Sequence, residues 1–225
     1  NFKINPALRP TSKICLFLSK SKKVSLTELQ EEKIIETCLD RLINSDLAAT
    51  AAYSMRVLYQ LGKKYGYPIV SAGQSIRRAF ATLGAKRIGL VSPYPQWLTD
   101  MSAAYWKRAG VEIVGIEAPT QVGGFHNIYT LRNPAVLAAA QRLVPLKPDV
   151  ILLAGAGMPT LGPIMALTDQ GIPAISSNFC MTWQLNQMES GDFLDAPSLH
   201  ALMHTDADWR SIFAERFPAA VMSGK

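Results

Sequence analysis

The chain has 225 residues, 48% of them apolar, enough for one sizeable core or two small lobes but too short for two independent domains of ordinary size. A formal net charge of +6 suits small anions. Its densest basic cluster, Lys20-Ser-Lys-Lys23, is short and is followed by Glu28, Glu31 and Glu32, so no nucleic-acid partner is expected.

No apolar run reaches the length of about 18 residues that crosses a membrane, and the opening Asn1-Phe-Lys-Ile-Asn-Pro6 lacks the parts of a secretory signal, so a cytoplasmic protein without a membrane partner is expected. Cys15, Cys38 and Cys180 form no Cys-x-x-Cys pair, and their odd number argues against a disulfide framework. Neither a metal nor a cofactor is expected.

In chain order, Ser25-Leu-Thr-Glu28 reads as a capping box ahead of Leu29, Ile34, Ile35, Cys38, Leu39 and Leu42, whose helical spacing predicts a helix. Leu47 to Tyr53 reads as a strand entering a loop, Val57 to Tyr65 as a helix, Tyr67 to Gly73 as a second strand, and Ser75 to Leu83 as a helix. Residues 1–84 would thus form a first lobe, completed by helices from about 180–225.

Residues 85–179 predict a second, flavodoxin-like lobe. Arg87 to Tyr94, Val111 to Ile116, Asp149 to Gly155 and Ile172 to Asn178 are apolar runs ending in turn residues, the pattern of buried parallel strands. The segments between them are long enough for crossover helices, the first over 95–108 with Gly110 at its end. Phe179 to Met188 reads as a helix, and Ser198 to Phe217 as a closing one. The fold class expected is α/β, with two pseudo-symmetric lobes, parallel sheets and a cleft between them.

Ligands of open parallel sheets bind beyond the carboxyl ends of the strands, where loops and helix N-termini converge. Those ends carry Tyr53 and Ser54; Tyr94; Gly155, Ala156, Gly157 and Met158; and Asn178 and Cys180. The Gly155-Ala-Gly157 turn can offer backbone donors to a carboxylate, or can simply permit a tight turn. It is not a dinucleotide fingerprint, because the third glycine is absent. Tyr94 can donate its phenol to a carboxylate or pack half-buried. Cys180, near a helix start, is either a thiol of lowered pKa or a small buried hydrophobe. His126 lies in a Gly-rich loop, and His200 and His204 read as an exposed helix face.

Tyr67-Pro-Ile-Val-Ser-Ala-Gly73, Leu83-Gly-Ala-Lys-Arg-Ile-Gly-Leu-Val-Ser-Pro-Tyr94, Pro148-Asp-Val-Ile-Leu-Leu-Ala-Gly-Ala-Gly-Met-Pro-Thr-Leu161 and Gly171-Ile-Pro-Ala-Ile-Ser-Ser-Asn178 together resemble the maleate cis-trans isomerase and arylmalonate decarboxylase branch of the aspartate/glutamate racemase superfamily. The resemblance runs over about residues 45–185. It implies a cofactor-independent enzyme, a homodimer or larger homo-oligomer, that isomerises, racemises or decarboxylates a small carboxylic acid. Its substrate-contacting tyrosine falls on Tyr94, its glycine-rich loop on Gly155 to Met158, and its asparagine on Asn178.

The sequence also departs from that pattern. The resemblance implies two facing cysteines, yet one maps to Gly155 and the other to the Ala49–Ala52 stretch. Three readings follow: Cys180 acts as a single reactive thiol, an alanine has been introduced by design, or the chain binds a carboxylate without turning it over.

Overall fold

A computed structural model describes residues 25–44, 48–67, 69–119, 125–190, 196–203 and 208–220. The Lys20–Lys23 cluster and Cys15 lie outside these residues, as do His204 and the side chain of His126. The chain divides into two compact units, Asn1–Ile69 and Val70–Lys225, rather than near Gly84, and the helices beyond residue 180 fall in the second unit.

In the first unit, α1 (Glu28–Asn44) and α2 (Ala48–Lys64) pack on each other through Ile34, Cys38, Val57 and Leu61. The capping box at the head of α1 is displaced from the expected one. The Thr27 N–H donates to Gln30 Oε1 at 3.0 Å, and the Gln30 N–H donates to Thr27 Oγ1 at 3.3 Å. At the same end of the pair, Glu31 is buried and accepts from Lys64 Nζ at 2.6 Å and from the Tyr65 phenol.

The expected strand at 47–53 is a correction, because helix α2 begins at Ala48. Ala48, Ala49, Ala51 and Ala52 bring the highest helix propensity, and the buried Ser54, Val57 and Leu61 follow helical spacing. Nor is the 67–73 segment a strand. It has no ladder partner among the described residues, and Ser71, in extended conformation, caps α3 (Ala72–Thr82). Among its described residues the first unit has no strand, so the expected pseudo-symmetry of two sheets is not seen.

The second unit carries the α/β fold. Its sheet has the order β2-β1-β3-β4 and is parallel throughout: β1 (Arg87–Val91), β2 (Glu112–Glu117), β3 (Val150–Leu153) and β4 (Ala174–Ser176). Every residue of β3 is buried, and so are Ile88 to Val91 of β1, as an apolar run at the centre of a covered sheet requires. Each fully buried Leu or Ile contributes about 1.5–3 kcal/mol of transfer free energy.

The crossovers are α4 (Gln96–Arg108), α5 (Asn133–Leu143) and α6 (Leu161–Thr168). At the amino ends of the strands, the Asp149 carboxylate accepts from the Lys86 and Arg87 N–H groups at 2.8 and 2.7 Å, tying β1 to β3. After β4 the chain turns directly into α7 (Ser177–Ser190), so Asn178 is helical rather than a strand end. The single closing helix expected over 198–217 is instead α8 (Ala196–Met203) and α9 (Asp208–Arg216). Arg210 of α9 pairs with Asp169 at 2.6 Å and reaches Met203 O at 3.2 Å, holding the end of the chain to the α6–β4 turn.

Candidate functional site

The carboxyl ends of β1, β2 and β3 open into three loops that meet. The loop after β1 is held at both sides: the Ser92 N–H donates to Glu117 O, and the Ala154 N–H to Val91 O, each at 2.9 Å. Beyond it, Thr99 of α4 donates to the Tyr94 carbonyl at 3.2 Å and lies 2.7 Å from the Ser92 hydroxyl. Both hydroxyls are buried, which makes this turn a fixed base for Tyr94.

Tyr94 is half-buried. Burial first, and then the nearby Tyr129, push its phenol above the usual tyrosine range. At neutral pH it is therefore a neutral donor, the form suited to a carboxylate.

The loop after β3 turns at Gly155, whose φ of 112° lies where L side chains rarely go. The Met158 N–H donates to Gly155 O at 3.2 Å and closes the turn. Among the described residues, none accepts from the backbone N–H groups of Gly155, Ala156 or Gly157. Asn178 Nδ2 donates to Ala156 O at 3.1 Å, and the Thr160 hydroxyl donates to Ser176 Oγ at 3.0 Å. Ser176 Oγ in turn accepts from the Phe179 N–H at 3.3 Å, so the glycine loop is latched to the start of α7. Met158 is buried and lends the loop its backbone alone.

The third loop holds residues that the sequence did not single out. Its 3₁₀ segment, Phe125–Thr130, lays Ile128 against Gly155 and Tyr129 against Gly157. A Cβ on Gly155 would stand 2.9 Å from both Ile128 Cδ1 and Pro93 Cγ, and one on Gly157 only 2.6 Å from Tyr129 Cε1. Backbone conformation and close approach together demand a glycine at 155, while at 157 the exposed Tyr129 ring occupies the room that a side chain would take. The Gly-x-Gly spacing was the visible trace of this, but not the residues that approach it.

Tyr94, Gly155, Ala156, Gly157, Met158 and Asn178 thus come together, whereas Tyr53 and Ser54 belong to α2 of the first unit. Cys180 corrects the expected environment. It is the fourth residue of α7, fully buried, and burial pushes its thiol up to about 12 instead of lowering it. Its α7 neighbours Phe179 and Trp183 are core residues, and no cation offsets the desolvation. His200 is exposed on α8, and no group of His, Cys, Asp or Glu among the described residues can hold a metal ion. Nor is any described helix long and apolar enough to cross a membrane.

The site's means are backbone N–H groups and a neutral phenol, which can hold a carboxylate and place a donor beside it.

The arylmalonate decarboxylase family matches residues 48–198. A maleate isomerase of Geobacillus stearothermophilus is 28% identical over 115 residues, covering 49% of this chain and 44% of its own, so the chain spans less than half the length of that relative. Two solved structures show the same fold. One, the Nocardia farcinica maleate cis-trans isomerase bound to TRIS, is 20% identical, with a TM-score of 0.56 over 71% of this chain and 70% of its own. The other, the Gly74Cys mutant of arylmalonate decarboxylase in a sulfate-associated form, is 16% identical, with a TM-score of 0.55 over 78% and 81%. The chain belongs to the arylmalonate decarboxylase family, in the branch of the aspartate/glutamate racemase superfamily that the sequence resembles.

Proposed function

We propose that this protein acts on a small carboxylic acid without a cofactor, as an isomerase of the maleate type. The acid's carboxylate lies on the N–H groups of Gly155, Ala156 and Gly157 and takes a further hydrogen bond from the Tyr94 phenol. Asn178 holds the loop in place through Ala156 O. The observation that carries this reading is the turn at Gly155, which presents three successive N–H groups without an acceptor among the described residues.

A second reading is favoured by the buried thiols. Cys38 and Cys180, the cysteines among the described residues, are both buried, and burial pushes the Cys180 thiol up to about 12, so it is neutral at physiological pH. Adding a thiolate to a double bond then lacks its nucleophile, whereas decarboxylation needs only a held carboxylate and one proton donor. Binding without turnover is the limiting case.

Proton NMR in heavy water with maleate, fumarate and a set of substituted malonates separates these outcomes. Isomer formation without loss of a carboxylate supports the isomerase; loss of one carboxylate, with deuterium taken up at the carbon that carried it, supports the decarboxylase. Tyr94→Phe removes one hydrogen bond to a charged group, about 1.5–3 kcal/mol, and is expected to weaken binding about tenfold to a hundredfold. Cys180→Ser shows whether the buried thiol takes part. Equal binding by wild type and Tyr94→Phe would overturn the role given to Tyr94.

A further inference from the structure

Two consecutive residues of the loop after β2 touch alternate residues of the glycine loop, and they do so differently. Ile128 is buried on Gly155 and anchors the segment, whereas Tyr129 keeps 72% of its surface exposed. Three atoms along one edge of its ring, Cε1, Cδ1 and Cζ, lie 2.6, 3.1 and 3.3 Å from the point where a Cβ on Gly157 would stand. The ring edge therefore rests on the backbone of Gly157, in room that exists because residue 157 has no side chain. The rest of the ring stands out from the loop, near enough to Tyr94 to influence its phenol.

From these contacts we propose that Tyr129 sets the size of the acid that can lie on the Gly155–Gly157 loop. This inference rests on the carboxylate reading above and adds to it a specificity-determining residue. With the ring seated on Gly157, an acid fits when the carbon bearing its carboxylate carries no bulky group, and meets the ring when it does. Swinging the ring away gives up its contact with Gly157 and exposes it further, so each bulky ligand bears that cost. A pocket wall of this kind discriminates by about 10–200-fold.

The test is calorimetric titration of maleate and of phenylmalonate into the wild type, Tyr129→Ala and Tyr129→Phe. The wild type is expected to bind maleate about tenfold or more tightly than phenylmalonate. In Tyr129→Ala that ratio falls to about threefold or less, because phenylmalonate gains while maleate changes little; Tyr129→Phe keeps the wild-type ratio, since the ring and not the hydroxyl excludes. An unchanged ratio in Tyr129→Ala overturns the proposal. So does a wild type that prefers phenylmalonate and loses that preference in Tyr129→Ala, the signature of a stacking platform. A folded wild type that binds neither acid removes the carboxylate reading itself, a result distinct from an unaltered ratio. Because Tyr129 is so exposed, its replacement leaves the core intact, which thermal unfolding of each variant checks.

Discussion

Putting a side chain back at Gly155 meets two separate penalties. The residue's φ of 112° is a conformation that non-glycine residues adopt at a cost of about 1–3 kcal/mol. Its Cβ would also press at 2.9 Å on Ile128 Cδ1, the end of a buried side chain, and on Cγ of the Pro93 ring; overpacking of this kind costs about 1–3 kcal/mol. Gly155→Ala should therefore destabilise the protein by about 2–6 kcal/mol, a large share of the roughly 5–15 kcal/mol that holds a domain together. For a protein of this size that lowers Tm by about 4–24 °C. The built-in control is Gly171→Ala, where φ is 74° and nothing lies within 4 Å of the added carbon, so only the conformational cost applies. Urea unfolding of the three proteins measures the difference. If Gly155→Ala costs no more than Gly171→Ala, the close approach of Ile128 and Pro93 is not what keeps position 155 a glycine. The same penalties bear on Gly155→Cys: restoring the thiol that the family resemblance places here would cost stability before it restored chemistry.

Two further predictions concern pH and the thiols. Burial raises the Cys180 thiol, and the hydrogen bond to Glu31, then burial, raise the Tyr65 phenol, each to about 12, so their contribution to stability is complete below their ordinary values. It is lost as pH climbs toward 12; Tm should fall across that range, less steeply in Cys180→Ser, and Cys180 should stay inert to a thiol reagent at pH 8 until the chain unfolds. Labelling of the native protein at the rate of an unfolded control would contradict this. In acid the signs reverse. Burial alone would raise Glu31, but the Lys64 and Tyr65 hydrogen bonds outweigh it and hold the carboxyl low, while the Lys86 and Arg87 N–H groups do the same for Asp149. Their contribution is present above about pH 5 and is lost as pH falls through their depressed values, so Glu31→Gln and Asp149→Asn should each flatten the acid limb of stability measured by urea unfolding.

Much of the second unit was legible because its strands are continuous apolar runs bounded by turn residues, as at Ile88–Val91 and Val150–Leu153. In the first unit the helical spacing from Leu29 to Leu42 and over 57–65 was legible too, but residues 47–53 were not. Leu47 to Tyr53 looks apolar enough for a strand, yet its alanines follow helix propensity, and a strand also needs a neighbour that the sequence cannot supply. At the site, Tyr94 and the Gly155–Gly157 turn were visible because strand-end position and glycine chemistry are local. Cys180 stayed open between a reactive thiol and a buried hydrophobe for the opposite reason: proximity to a helix start says nothing about the depth of burial three residues on. Ile128 and Tyr129 left no local mark, since their importance comes from contact with glycines almost 30 residues away in the chain.

The central claim is that the Gly155–Gly157 loop receives a carboxylate, and amide resonances report on it directly. Titrating maleate into the ¹⁵N-labelled protein at constant ionic strength should shift the N–H signals of Gly155, Ala156 and Gly157 saturably, with smaller effects at Tyr94 and none from chloride. Saturable shifts confined to other parts of the protein, or equal shifts from chloride, would contradict the account.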